Sequence, residues 1–258
     1  MEVSAQAMER ARALLAAARS VLVLTGAGVS AESGVPTFRG SEGLWKSFRA
    51  EELATPQAFA RDPRLVWEWY GWRRERVDAC RPNAGHVALA RAALAGCPLT
   101  LVTQNVDGLH EAAARAAAGD GDPAPALPLE LHGSLYRVRC TACGARSADR
   151  GPVDATSMAT LPRYGCGGLL RPDIVWFGEA LDPAILDRAF RAAEAADVCV
   201  VAGTSALVHP AASLPLATAR AGGVVIEVNP DPTPLTEVAA VVLRGPSGSI
   251  LPELLLSA

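Results

Sequence analysis

Short apolar runs recur along the chain, and each closes on small or polar residues. Val21-Leu22-Val23-Leu24 ends at Thr25 and meets Gly26-Ala27-Gly28-Val29-Ser30-Ala31. Leu99–Thr103 ends at Gln104-Asn105-Val106-Asp107, and Leu129–Leu131 ends at His132-Gly133. Val198–Ala202 runs into Gly203-Thr204-Ser205, Val224–Val228 into Asn229-Pro230-Asp231, and Ala239–Leu243 is a last such run. Runs this short and apolar predict buried strands. Helical spacing fills much of the rest: Ala5–Ala18, Leu65–Ala79, Gly85–Ala95, Gly108–Ala118, Pro183–Ala196, Ala211–Ala221 and Ser249–Leu255. Gly119–Pro128 is polar and rich in Pro and Gly, hence a loop. Strands alternating with helices predict an α/β fold around a mostly parallel, doubly wound sheet. The ligand crevice of such a sheet lies outside the carboxyl ends of its strands, where the polar clusters fall.

Two stretches break the rhythm. Residues 41–96 read as mainly helical, and residues 134–174 form a small insert carrying Cys140-Thr-Ala-Cys143 and Cys166-Gly-Gly. With few apolar residues between the cysteines, the insert is expected to be held by something other than a core. That leaves 1–40, 97–133 and 175–258 as the sheet domain. Its first turn meets the G-x-G-x-x-A form of a dinucleotide fingerprint. Gly26 permits the bend, Gly28 would admit a phosphate to the backbone, and Ala31 is small enough to pack on the sheet. Amides at the helix start would face a pyrophosphate. No acid-bearing second strand follows at roughly 20 residues, so the chain departs from a plain Rossmann domain.

Half of the 258 residues are apolar, and 24 basic side chains nearly balance 27 acidic ones. That balance argues against a general nucleic-acid footprint. No apolar run is long enough for a membrane span. The first 20 residues lack the basic start and apolar block of a signal peptide. Six unevenly spaced cysteines then suggest reduced thiols in a cytoplasm.

Taken together, GAGVSAESGVPTFRG, TQNVDGLH, LHGS, CTAC, RPDIVWFGE, GTSALVHPA and EVNP resemble the sirtuin family of NAD-dependent protein lysine deacylases, over about residues 15–255. The resemblance implies a Rossmann-like large domain, a helical module and a zinc-ribbon-type insert. It also implies cleavage of nicotinamide from NAD and transfer of a lysine acyl group to the ADP-ribose. In that chemistry the weakly nucleophilic amide oxygen attacks the ribose anomeric carbon, which demands a held leaving group and shielding from water. By resemblance, Asp107 would bind the carboxamide of nicotinamide, Asn105 would sit near the ribose and a water, and Gln104 would contact the ribose. Phe38 and Arg39 would lie over the reacting centre. His132 would be the general base for a ribose hydroxyl, a task suited to a group titrating near pH 6.5. Gly26, Ala27, Ser30 and Glu32 would line the phosphate side. Gly203, Thr204, Ser205, Asn229 and Asp231 would hold the adenosine half, with Ser247 and Gly248 at the adenine edge. Val175–Gly178 and Leu207–His209 would flank an extended acyl-lysine peptide as strands, with Phe177 lining the lysine tunnel.

Tyr70 and Arg73 lie three apart in LVWEWYGWRRERV and would share a helix face. Arginine binds carboxylates bidentately, and a tyrosine hydroxyl adds a directional donor. The pair, with GCGGLLRPDIVWFGEALDPAIL, resembles the sirtuin subgroup that removes succinyl and malonyl groups; a solvated run with Arg74 and Arg76 is the plainer alternative. Sirtuins usually hold zinc with four cysteines. Here Cys140, Cys143 and Cys166 lack a fourth, because LPRYG precedes Cys166, while structural zinc sites are nearly always four-coordinate. Two other activities share the same NAD site: mono-ADP-ribosyl transfer and NAD glycohydrolysis. A regulatory NAD-binding module without turnover is a third alternative.

Overall fold

The computed structural model describes residues 4–36, 44–46 and 48–256. The chain runs α1 (Ala5–Ala17), β1 (Val21–Thr25), α2 (Ala27–Ala31), β2 (Leu44–Trp45), β3 (Phe48–Arg49), α3 (Ala50–Leu53), α4 (Pro56–Arg61), α5 (Pro63–Asp78) and α6 (Ala84–Leu94). It continues through β4 (Leu99–Thr103), α7 (Leu109–Ala118), β5 (Leu129–Glu130), β6 (Gly133–Cys140), β7 (Arg146–Ala148) and β8 (Leu170–Ile174). It ends with α8 (Pro183–Ala195), β9 (Val198–Ala202), α9 (Leu214–Arg220), β10 (Val224–Val228), β11 (Val241–Leu243) and α10 (Ser247–Leu256).

Six parallel strands form the large sheet in the order β11-β10-β9-β1-β4-β5. β1 lies between β4 and β9, with Val21 opposite both Leu99 and Val198. Its side chains alternate as the pleat requires. Val21 and Val23 face a layer containing Met8 of α1, Leu89 of α6 and Leu251 of α10. Leu22 and Leu24 face Ala189 of α8 and Leu214 of α9. Leu22 and Leu24 are fully buried, and burial of each such side chain contributes about 1.5–3 kcal/mol. From β1 the chain leaves towards β4 and β5 and later returns on the other side at β9. The strand order therefore reverses between β1 and β9, the place where an open α/β sheet binds its ligand.

The second lobe corrects one expectation. The insert is built on an antiparallel sheet, β7-β6-β8, and it does have a core. Leu135, Val138, Leu161 and Ile174 are buried in one cluster with Leu53, Phe59, Val66, Trp67 and Tyr70 of the helical module. The apolar positions of β6 alternate with Arg137 and Arg139, so the strand reads as polar by composition while burying one face. Arg74 is no part of a solvated run. It is buried, donates to Leu135 O at 2.8 Å and Gly151 O at 3.1 Å, and pairs with Asp149 at 3.6 Å. Arg76 remains on the surface, over the Trp72 ring.

β6 and β8 meet at Gly133, opposite Ile174. Gly133 has φ +81°, and a Cβ there would lie 2.0 Å from Asp173 O, so only glycine permits the crossing. One residue earlier, His132 O accepts from Val175 N at 2.9 Å. The second lobe is thereby stitched to the end of β5.

Candidate active site

The β1–α2 turn and the loop after β9 pack backbone on backbone. Gly28 N donates to Gly203 O at 2.7 Å, and Gly26 N donates to Ala202 O at 3.1 Å. A Cβ on Gly28 would lie 2.7 Å from Gly203 O, and one on Gly26 would lie 2.6 Å from Thr204 Cβ. The room expected for a phosphate at Gly28 is thus filled by Gly203, itself at φ +58°. Ala31 does not pack on the sheet either: it is exposed, and α2 buries Val29 and Ser30 instead. Ala27, which opens α2, is half-buried.

Ser30 turns away from the phosphate side and lies beneath the turn after β4. Its Oγ accepts from Asn105 Nδ2 at 3.1 Å and sits 3.3 Å from His86 Nε2. Asn83 N donates to His86 Nδ1 at 3.3 Å, which leaves Nε2 as the protonated, donating nitrogen. Both lone pairs of Ser30 are then engaged, and its own proton goes to the Asp107 carboxylate. Asn105 Nδ2 also donates to Gly26 O at 3.0 Å. Asp107 is buried and accepts from Leu109 N at 2.9 Å, at the start of α7, where the helix dipole favours an anion. Burial raises its pKa, against the pull of the Leu109 amide, the Ser30 hydroxyl and the Arg73 charge.

Gln104 joins two strand ends. Its Nε2 donates to Thr204 Oγ1 at 3.0 Å, while its backbone oxygen lies 3.0 Å from His132 Nδ1. A carbonyl can only accept, so Nδ1 carries the proton and Nε2 keeps a lone pair for base work. Burial lowers the pKa of His132, and the Gln104 carbonyl draws it partly back. His132, Asn105 and Asp107 therefore gather beside the Gly26 bend.

At the other end of the crevice, Asn229 Nδ2 donates to Asp231 O at 2.8 Å. Behind this loop Arg244 pairs with the buried Glu227 at 2.9 Å and donates to Asp231 O at 3.0 Å. Ser205 is half-buried beside Thr204. Glu32 faces α10, where its carboxylate accepts from Gly248 N at 2.7 Å. Ser247 Oγ is buried without a partner among the described residues, as a hydroxyl that meets a ligand would be. Phe38 and Arg39 lie outside the described residues.

Sequence reasoning missed His86, His110, Thr25 and Thr103. Thr25 Oγ1 donates to Thr103 Oγ1 at 2.8 Å and lies 2.9 Å from His110 Nε2, while Asn105 N donates to Thr103 Oγ1 at 3.1 Å. The His86 and His110 rings lie 4.6 Å apart. The one sequence signal was the Asn83–His86 spacing of a capping box.

The profile of the Sir2 family matches residues 26–210. The chain belongs to the Sir2 family. A relative from Archaeoglobus fulgidus, named NAD-dependent protein deacylase 1, is 52% identical over 241 residues, covering 93% of each chain. A solved complex of a Sir2 homologue with NAD superposes with a TM-score of 0.87 at 50% identity, covering 96% of this chain and 93% of that one. A mutant Sir2 homologue bound to 2'-O-acetyl ADP ribose gives a TM-score of 0.87 at 49% identity, covering 96% and 95%.

The insert of this sirtuin brings Cys140, Cys143 and Cys166 together, with all three sulfurs within 4.8 Å. Cys166 Sγ lies 3.4 Å from Cys140 Sγ and 3.6 Å from Cys143 Sγ. Tetrahedral zinc with bonds of about 2.3 Å separates its sulfurs by roughly 3.8 Å, so the three thiols fit three corners. The Cys143 amide holds the Cys140 thiol down at about 7, which favours a thiolate. No other His, Cys, Asp or Glu joins the cluster among the described residues. Arg163, three positions before Cys166, donates to Gly167 O at 2.8 Å.

After β8, Val175 is half-buried and Phe177 is 49% exposed. Val175–Gly178 and Leu207–His209, expected as strands, are not strands in the structure; Leu207 and Val208 lie exposed. On α5, Tyr70 is fully buried. Its oxygen accepts from Trp176 Nε1 at 2.8 Å. The Arg73 guanidinium lies 5.0 Å over Trp69 and 5.5 Å from the Tyr70 ring centroid. Burial lowers the pKa of Arg73, and Tyr70 and Asp107 draw it back up.

Proposed function

We propose that this sirtuin removes acidic acyl groups, succinyl and malonyl, from protein lysines. The coarser activity rests on the family: the chain is an NAD-dependent protein deacylase. Bound NAD would supply the leaving nicotinamide and the ADP-ribose that receives the acyl group, giving an O-acyl-ADP-ribose.

Each residue contributes a definite task in this reading. Asp107 and Asn105, held by Ser30 and Gly26, bind and orient the nicotinamide end. His132 takes a proton at Nε2, its Nδ1–H being tied to Gln104 O. The Gly26, Ala27 and Gly203 backbones, with Thr204, Ser205, Asn229, Asp231, Ser247 and Gly248, hold the phosphates and adenosine. Val175 and Phe177 flank the acyl-lysine peptide. The three cysteines hold zinc away from the chemistry, as a fastener of the insert. None of the six cysteines is paired in a disulfide, in keeping with a reducing compartment such as the cytoplasm.

The observation that supports the acidic acyl preference is the Tyr70–Arg73 pair. A guanidinium partly withdrawn from water beside a phenol is a matched receptor for a carboxylate. Its charge also reaches Asp107, so the pair lies near the nicotinamide end. The double variant Tyr70→Phe, Arg73→Met should lower desuccinylation of a peptide far more than deacetylation, about 100-fold against less than fivefold, as expected for a lost charge-assisted pair. O-acyl-ADP-ribose is the product to follow. Equal losses on both substrates would refute the acidic preference, and nicotinamide release without any acyl product would point to NAD glycohydrolysis.

A further inference from the structure

A phenolic oxygen has two lone pairs to receive hydrogen bonds and one proton to give. At Tyr70 the two neighbours that bond this oxygen among the described residues are Trp176 Nε1, at 2.8 Å, and Arg73. An indole N–H and a guanidinium are donors only. Neither can take the phenol's proton, and Tyr70 is buried from water. Among the described residues its O–H thus meets donors only, and an acceptor brought in by a ligand would satisfy it.

The indole that imposes this is held from several sides. The Arg171 guanidinium lies 3.2 Å over the Trp176 ring. Glu179 accepts from Trp176 N at 2.9 Å and takes both arms of Arg171, at 2.6 and 3.0 Å. Arg139 adds a fourth donor to Glu179 at 2.9 Å. The Trp176 ring is also packed 6.5 Å from that of Tyr70, at 28° between planes. Trp176 thus has little freedom to turn its N–H elsewhere.

We propose that Trp176 is a positioning residue for acyl selection, engaging one lone pair of Tyr70 while Arg73 engages the other, so that the phenol can act only as a donor to an acyl carboxylate. The proposal rests on the acidic acyl reading and adds a reason for it. A succinyl or malonyl group ends in a carboxylate that accepts the Tyr70 proton while Arg73 neutralises its charge. An acetyl group ends in a methyl and leaves that proton unused. Trp176 stands between Val175 and Phe177, so the segment that meets the peptide also carries the group that sets the acyl pocket.

The test compares Trp176→Phe with wild type and with Tyr70→Phe, Arg73→Met, using succinyl-lysine and acetyl-lysine forms of one peptide at saturating NAD. Trp176→Phe keeps an aromatic ring and removes the N–H. KM for the succinyl peptide should rise about five- to tenfold, the scale of one misdirected hydrogen bond. Its kcat should hold, and KM for the acetyl peptide should change less than about twofold. Equal KM changes on both peptides, or a fall in kcat for both, would reduce Trp176 to a packing role and overturn the proposal. If Tyr70→Phe, Arg73→Met is selective while Trp176→Phe is silent, the proposal fails and the acidic acyl reading stands. If the double variant is also unselective, that reading fails with it.

A second measurement needs no Trp176 variant to fold. The chain has five tryptophans, and the indole resonance that moves in Tyr70→Phe identifies the one bonded to the phenol. In wild type that resonance should shift on adding the succinyl peptide and stay within linewidth on adding the acetyl peptide. An identical response to both peptides also overturns the proposal.

Discussion

His132 shows how one side chain takes its role from the backbone around it. The Gln104 carbonyl fixes the tautomer, and burial lowers the pKa below that of a free histidine. In its proposed role of general base His132 works only when neutral, so a lowered pKa extends activity to more acid solution. The acid limb of kcat/KM for NAD against pH should therefore fall below pH 6.5. His132→Asn should cost about 100-fold or more in kcat. An acid limb at or above 6.5 would show that another group governs it. Asn105, Asp107 and His132 were legible in the sequence because each lies just past an apolar strand. Ser30 was legible as a residue but not in its task, because the inward register of α2 emerges only when Val29 packs on the sheet. His86 and His110 sit on helices far from those strand ends, and only packing brings their rings to the Ser30 and Thr25 hydroxyls.

At the scale of elements, the parallel strands were the most legible part. β1 and β9 are buried along their whole length and read as apolar runs, and β1, β4, β9 and β10 begin and end where the predicted strands do. β6 was not legible. Its arginines are absorbed by acids from elsewhere: Arg137 pairs with Glu130 at 2.5 Å and Asp173 at 3.4 Å, and Arg139 with Glu179 at 2.9 Å. The point where β6 leaves the site depends on Gly133. Alanine there meets Asp173 O and an unfavourable φ together, so Gly133→Ala should lower stability by about 3 kcal/mol or more. Thermal unfolding should shift down by roughly 6–12 °C. Turnover should fall as well, because the same crossing holds Val175 N against His132 O. An unchanged melting point with full activity would mean that β6 and β8 can separate freely here.

At the scale of the molecule, two lobes close on one crevice, and the three-thiol cluster lies in the smaller one. No helix among the described residues is long and apolar enough to cross a membrane. The sequence left the metal open, because the three cysteines lack the fourth ligand of a structural zinc site. The structure brings the three sulfurs to spacings that match three corners of a tetrahedron, while Arg163 bonds Gly167 instead. Purified protein should carry about one zinc per chain and lose it to chelator faster than a four-thiolate site does. Cys166→Ser should abolish retention and loosen the insert, seen as early proteolysis between β7 and β8. Protein that never binds zinc, yet melts and turns over normally, would make the cluster a packing feature.

The backbone contact between Gly28 and Gly203 has one more consequence. Two turns about 175 positions apart in sequence meet there backbone to backbone, and a Cβ on either glycine would strike the other turn, so a substitution in one turn is felt at the end of a strand encoded far from it.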